Sequence, residues 1–122
     1  MAERPEGQAD ALYFAHLSYS QLEARLRGER KLVLLFPVGA TEAHGPHSPL
    51  STDVIISEGM CRRAAQQFAD DPEIDALILP SLSYVVTRYA GQFTGTIHVS
   101  EATLQAMIVD VCRSLIGQGF RY

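Results

Sequence analysis

The chain has 122 residues, of which 47% are hydrophobic and 20% are charged, and these proportions are typical of one folded domain rather than a disordered segment. No apolar run approaches the length of a membrane span, and a net charge of −4 argues against nucleic acid, whose binding relies on Lys and Arg to neutralise phosphates. We therefore expect neither a membrane nor a nucleic-acid partner.

The first elements are a tail, a helix and a strand. Residues 1–17 start with the polar "MAERPEGQAD" and are predicted to be a flexible N-terminal segment. Ser18 and Gln21 then have the spacing of a capping box, and Gly28 suits the end of that helix. The run "KLVLLF" that follows is short and continuously apolar, which predicts a strand covered on both faces.

A loop rich in Gly and Pro, "PVGATEAHGPHSPLSTD", separates this strand from the next helix. We expect Thr52 to cap a helix over about 53–68. The spacing of four apolar residues predicts one buried face on it, formed by Ile56, Met60, Ala64 and Phe68.

The remaining elements repeat this order. "DALILP" predicts a second strand and "TGTIHV" a third. Ser100 is expected to cap a last helix, whose predicted buried face consists of Leu104, Met107, Ile108, Val111, Cys112 and Leu115. Strands that alternate with helices predict an α/β fold with helices layered on a mostly parallel sheet.

Two cysteines and the polar start bear on the compartment. Cys61 and Cys112 lie in predicted helices without the spacing of a redox or metal motif. The first ten residues lack the apolar stretch of a secretory signal. We therefore expect reduced, structural cysteines and a cytoplasmic protein.

The loop after the first strand carries the chemistry. Glu42 and His44 are separated by one residue, so their side chains point to the same side of an extended segment, and Asp53 returns at the start of the next helix. One imidazole and two carboxylates suit Zn²⁺ or Mn²⁺. In open α/β sheets, ligands bind beyond the carboxyl ends of the strands, where this loop is expected. The alternative is a merely polar loop, with Glu42 exposed, His44 and His47 bound to backbone, and Asp53 favoured by the helix dipole.

The longer string "GATEAHGPHSPLSTD" resembles the N-terminal signature of the creatininase (creatinine amidohydrolase) family. The segments "LILPSLSY" and "GQFTGTIHVS" resemble the second core strand and the following glycine-containing segment of that family. The resemblance implies a three-layer αβα sandwich with a mostly parallel sheet, and residues 18–122 would be the N-terminal part of such a domain.

The resemblance also implies the ligands. Glu42, His44 and Asp53 match the family's metal ligands, and Asp53 would bridge the two ions, Zn or Mn, of the complete family site. His47 is not a usual ligand and is expected to order the loop. His16 and His98 have no matching role, and His98 is expected to be a packed or edge histidine of a strand.

The chain departs from the family in length. Family members are about twice as long, and their next strand has a Gly-His-Gly-Gly-Asn motif with a ligating histidine, followed by a glutamate ligand. No histidine follows His98, and the chain stops at Tyr122, before that motif. The catalytic acid and base would belong to the later half, so we assign no catalytic residue here.

Two functions remain open at this point. The resemblance implies a metal-dependent amidohydrolase that cleaves a cyclic or non-standard C–N amide bond of a small molecule, with relatives that cut peptides, and a homo-oligomer in the full-length form. The alternative is a truncated, non-catalytic family member that acts as a metal- or protein-binding module. The sequence does not identify the substrate.

Overall fold

The structure, a computed structural model, describes residues 10–122. The order is helix, strand, helix, strand, helix, which matches the sequence prediction except for the third strand expected before the last helix. The elements are α1 (Tyr19–Leu26), β1 (Lys31–Leu35), α2 (Thr52–Gln67), β2 (Ile74–Ile78) and α3 (Glu101–Gln118). Short 3-10 turns occur at Asp10–Leu12, Phe14–His16 and Arg88–Ala90.

β1 and β2 form a two-stranded parallel sheet, in which Lys31 lies opposite Ile74 and Leu35 lies opposite Ile78. The two segments that follow β1 and β2 remain side by side, since Val38 forms a parallel bridge with Leu82. The segments that follow β1 and β2 therefore begin next to each other at the carboxyl edge of the sheet.

Helices cover both faces of this sheet, because side chains alternate between the faces along each strand. On one face, Leu32 and Leu77 pack with Phe120 and with partly buried residues of α1 and α3. On the other face, Ala76 and Ile78 pack against Ala65 of α2. The α/β class is therefore confirmed, with three helices on a short parallel sheet.

An ion pair fastens α1 to the amino end of β2. Arg25 Nε and Nη2 donate to Asp75 Oδ2 and Oδ1 at 2.9 and 2.5 Å, and Arg25 Nη1 also donates to the carbonyl of Ala11. Only 12% of the Asp75 side chain is exposed, so the bidentate Arg25 satisfies a carboxylate that has little contact with water.

Three of the predicted helix boundaries are confirmed and one is wrong. Ser18 and Gln21 form the expected capping box, Ser100 accepts from the Thr103 N–H, and Gly28 closely follows α1. Thr52 does not cap α2: it is the first helical residue, and its hydroxyl donates to the Pro49 carbonyl at 2.6 Å.

The predicted faces of two helices are partly wrong. In α2, Ile56 and Met60 are exposed, whereas Ala65, Cys61 and Phe68 pack against the sheet. In α3, Met107 and Cys112 are exposed, and no residue of the helix is fully buried. Both helices carry apolar residues on several sides, so periodicity alone does not determine which side packs against the sheet.

The third predicted strand, 94–99, is reduced to a single bridge between His98 and Val85.

The predicted flexible segment falls partly outside the described residues, which begin at 10. Within 10–17, Phe14 and Leu17 pack against the core, and the boundary at 17 stays a prediction. No helix within the described residues is long and apolar enough to cross a membrane, and the cytoplasmic location stays a prediction.

Candidate metal centre

The segment after β1 passes directly against the start of α2, and Gly39 makes this approach possible. A Cβ atom on Gly39 would lie 2.7 Å from the Val54 nitrogen and 2.8 Å from the carbonyl carbon of Asp53. Both are backbone atoms, so a larger residue would push the loop and the helix apart. The glycine thereby brings the chain that carries Glu42 and His44 close to the first turn of α2, which carries Asp53.

The loop then folds back on itself. The Glu42 N–H donates to the Leu50 carbonyl at 3.0 Å, and His44 forms an antiparallel bridge with Ser48. Gly45 has a φ of 74°, a left-handed conformation that glycine adopts without steric cost. This closed loop directs the side chains of Glu42 and His44 towards Asp53.

Three potential ligand atoms converge where the sequence predicts them. His44 Nε2 lies 3.1 Å from Asp53 Oδ1 and 3.9 Å from Glu42 Oε1. One ligand atom from each of the three residues lies within 4.8 Å of the other two. Within residues 10–122 this is the only group of three or more His, Cys, Asp or Glu side chains with such geometry.

The His44 ring is oriented for coordination through Nε2. Its Nδ1 lies 3.2 Å from the Glu42 carbonyl, and an Nδ1–H donated to that oxygen leaves Nε2 to face the two carboxylates. The hydrogen bond to the Glu42 carbonyl and the nearby carboxylates of Asp53 and Glu42 raise the pKa of His44, against its partial burial. Without a cation, His44 forms an ion pair with Asp53 when its ring is protonated.

Glu42 is the most protected of the three, with only 6% of its surface exposed, so the exposed Glu42 expected for a merely polar loop is wrong. The buried Thr87 hydroxyl donates to Glu42 Oε2, and the Tyr89 hydroxyl donates to Oε1 at 3.3 Å. The Thr87 hydrogen bond, helped by Tyr89, holds the pKa of Glu42 below its usual range although burial acts to raise it. The bond to Glu42 also raises the pKa of the Tyr89 phenol.

The residues present fit a divalent cation. An imidazole nitrogen and two carboxylate oxygens are donors that Zn²⁺ and Mn²⁺ accept, and three protein donors leave coordination positions open for other ligands. Asp53 is about one third exposed, so one side of the group faces solvent.

The other histidines do not join this group. His47 is exposed on the same loop, and His16 ends the 3-10 turn that precedes α1, near Tyr13. His98 accepts a hydrogen bond from the Thr87 N–H at 3.0 Å. Sequence reasoning missed Thr87 and Tyr89, which follow β2 in an irregular segment and reach Glu42 only through the tertiary fold.

The sequence profile described as "Creatininase: Creatinine amidohydrolase" matches residues 15–122. The chain belongs to the creatininase family. It is 31% identical to a creatinine amidohydrolase of Pseudomonas putida over 116 residues, which are 91% of this chain and 42% of that protein. It is 35% identical to a mycofactocin precursor peptide peptidase of Mycolicibacterium smegmatis over 82 residues, 67% of this chain and 33% of that protein.

The fold of solved family members agrees with this assignment. A structure described as "Creatininase Mn" superimposes with a TM-score of 0.78 at 31% identity, over 91% of this chain and 42% of that one. A mutant creatininase is described as "Zn-Zn type", so homologues of this chain bind manganese or zinc. The chain spans about two fifths or less of the length of the relatives that it matches.

Proposed function

We propose that this chain is the N-terminal portion of a metal-dependent amidohydrolase, which hydrolyses a cyclic or non-standard C–N amide bond in a small molecule or a peptide. The observation that carries the proposal is the convergence of Glu42, His44 and Asp53 on one point at the carboxyl edge of the sheet. Relatives named for creatinine amidohydrolysis and for cleavage of a precursor peptide support the reaction class and leave the substrate open.

Each ligand has a defined task. Glu42 Oε1, His44 Nε2 and Asp53 Oδ1 would hold the cation, and the exposed side of Asp53 makes it the candidate to bridge a second ion. When bound, divalent cations supply the Lewis acidity that activates water and polarises an amide carbonyl. The Glu42 carbonyl keeps the His44 ring in place, and the Thr87 hydroxyl keeps Glu42 ionised.

The complete protein would supply what these residues lack. We propose that further residues add the remaining ligands of a two-metal site, the acid and base, and the strands that extend this sheet into a three-layer αβα sandwich. A homo-oligomeric state of the full-length protein is part of the same proposal, as the resemblance implies.

Metal binding by this chain tests the proposal that Glu42, His44 and Asp53 hold a cation. We expect calorimetry with Mn²⁺ and with Zn²⁺, together with elemental analysis, to give one bound ion. Asp53→Asn should abolish stoichiometric binding, and Asp110→Asn, which removes an exposed carboxylate of α3, should leave it unchanged. Absence of bound metal in the wild-type chain would overturn the proposal that these three residues hold a cation by themselves.

The activity of the complete protein tests the proposed amidohydrolase function. The complete reading frame that encodes this chain should read on into the second metal-ligand motif, and its product should hydrolyse creatinine or a peptide amide with added Mn²⁺. Glu42→Gln should abolish turnover while the protein stays folded. The reading frame could instead lack that motif, and its product could bind metal but hydrolyse neither substrate. This result would support the non-catalytic metal- or protein-binding module.

A further inference from the structure

The two oxygens of Glu42 have different surroundings. Oε2 receives the hydroxyl of Thr87, which is only 1% exposed, while Oε1 faces His44 Nε2 and the Tyr89 hydroxyl. A buried carboxylate is costly unless hydrogen bonds satisfy it, so the Thr87 contact fixes which oxygen turns away from the ligand group. Thr87 therefore determines that Oε1 is the oxygen available to a cation.

The backbone of Thr87 is in turn held by His98. The Thr87 N–H donates to His98 Nδ1 at 3.0 Å. A backbone N–H can only donate, so Nδ1 must be the unprotonated nitrogen and His98 is the neutral Nε2–H tautomer in this contact. Thr87 immediately precedes the 3-10 turn Arg88–Ala90, and its carbonyl accepts from the Ala90 N–H at 3.2 Å. The His98 bond thus fixes the residue at which the chain turns.

The segment that carries His98 also forms hydrogen bonds with the loop that contains Glu42 and His44, the ligand loop. The Ile97 N–H donates to the Thr41 carbonyl at 3.0 Å, and the Ala43 N–H donates to Thr96 Oγ1 at 2.9 Å. These two bonds hold the residues on either side of Glu42. One short segment, 96–98, therefore holds both the backbone that flanks Glu42 and the threonine that orients its carboxylate.

We propose that His98 is a positioning residue for the metal ligand Glu42: through Nδ1 it holds the Thr87 N–H, and Thr87 holds Glu42 Oε2, so that Oε1 faces the cation. The inference rests on the proposed metal-dependent function. His98 would then have a role in the metal site, which the sequence does not predict for it.

The test compares variants that keep or remove the acceptor. Asn places Oδ1 close to the position of His Nδ1 and can accept the Thr87 N–H, whereas Leu fills similar space and cannot. We expect His98→Asn to bind Mn²⁺ within a few-fold of wild type. His98→Leu should bind about 10-fold more weakly, the lower end of the effect of losing a group that contacts a ligand directly, because His98 acts through Thr87. His16→Leu, at an exposed histidine outside this network, is the control.

A double-mutant cycle separates positioning from packing. Thr87→Ser keeps the hydroxyl and should retain affinity, and Thr87→Val should lose it. Because His98 acts through Thr87, Thr87→Val combined with His98→Leu should bind Mn²⁺ no more weakly than Thr87→Val alone. The thermal midpoint of each metal-free variant is measured in parallel, so that variants that fail to fold are recognised and the Asn and Ser variants carry the comparison.

Each result decides between the two proposals. If the wild-type chain binds no Mn²⁺, the proposed three-residue metal site fails and this role fails with it. If wild type binds and His98→Leu binds equally well, or if His98→Asn weakens binding as much as His98→Leu does, the positioning role alone is overturned. Additive losses in the double mutant would also overturn it, because they would show that His98 acts independently of Thr87.

Discussion

His44 Nε2 lies 3.1 Å from Asp53 Oδ1, although one residue belongs to the loop after β1 and the other to the first turn of α2. The contact places a proton and a cation in competition for the same nitrogen. A protonated His44 forms an ion pair with Asp53, whereas coordination needs Nε2 to be unprotonated. The metal-free and metal-bound proteins should therefore respond to pH in opposite directions.

The metal-free protein should lose stability as the pH rises above the ordinary histidine pKa. Because the folded protein raises the pKa of His44, this pair contributes stability fully below the ordinary histidine pKa of about 6.5 and loses it as the pH rises through the raised, folded pKa. With a chelator present, thermal midpoints should fall over this range in wild type and fall less in His44→Asn.

With Mn²⁺ present, the dependence should reverse, because removal of the His44 proton permits coordination. The stabilisation caused by saturating Mn²⁺ should grow as the pH rises through the same window, and calorimetry in buffers of different ionisation enthalpy should show proton release on binding. A metal-induced stabilisation that is independent of pH would contradict the assignment of His44 Nε2 as a ligand.

The grouping of Glu42, His44 and Asp53 could be predicted from sequence because the three residues are local. Glu42 and His44 share one short loop, and Asp53 begins the adjacent helix, so spacing and the carboxyl edge of a parallel sheet bring them together. The capping box at Ser18 is local in the same way, since its hydrogen bonds join residues three positions apart.

What the sequence did not reveal depends on distant contacts. Thr87 meets Glu42 across 45 positions, from a segment without regular structure, and no periodic pattern marks it. The exposed faces of Ile56 and Met60 have a related cause, because α2 carries apolar residues on several sides and the sheet contacts the side with Ala65. The predicted strand at 94–99 pairs with its neighbour only at His98, since that segment is used to hold the ligand loop.

The ion pair between Arg25 and Asp75 should matter more for stability than other arginine contacts on α1. Arg25→Met removes the bidentate partner of a largely buried Asp75 carboxylate and leaves it only Arg30, whose Nη2 lies 3.6 Å from Asp75 Oδ1. The free energy of unfolding should therefore fall by about 3 kcal/mol, the lower end of the usual range. Arg27 pairs with Glu23 on the exposed surface of the same helix, and Arg27→Met should change it by less than about 1 kcal/mol.

Urea unfolding of both variants measures the difference. Asp75→Asn combined with Arg25→Met should recover part of the loss, because it removes a largely buried charge that has lost its bidentate partner. Equal effects of the Arg25 and Arg27 variants would show that the Asp75 carboxylate is well solvated in the folded protein.

The two cysteines should differ in reactivity. Cys61 is partly buried against the sheet, and burial, with a smaller contribution from Glu58, raises the pKa of its thiol. Cys112 is exposed on α3. The thiolate is the reactive form, so iodoacetamide should modify Cys112 first in the folded protein, as followed by mass spectrometry of peptides. Cys112→Ser should leave only slow modification, and urea should abolish the difference. Comparable rates in the folded protein would mean that Cys61 is accessible.

Gly39 should couple the stability of the fold to metal binding. A methyl group at this position meets the backbone of Val54 and Asp53, which cannot move without shifting the first turn of α2. Gly39→Ala should therefore lower the free energy of unfolding by about 1–3 kcal/mol, as overpacking does, and weaken Mn²⁺ binding because Asp53 moves away from His44. Gly59→Ala is the matched control within α2: nothing lies within 4 Å of the added methyl, and alanine favours the helix by about 0.5–1 kcal/mol. If Gly39→Ala lowered stability while Mn²⁺ affinity stayed unchanged, the approach of loop and helix would be a packing feature independent of the ligand geometry.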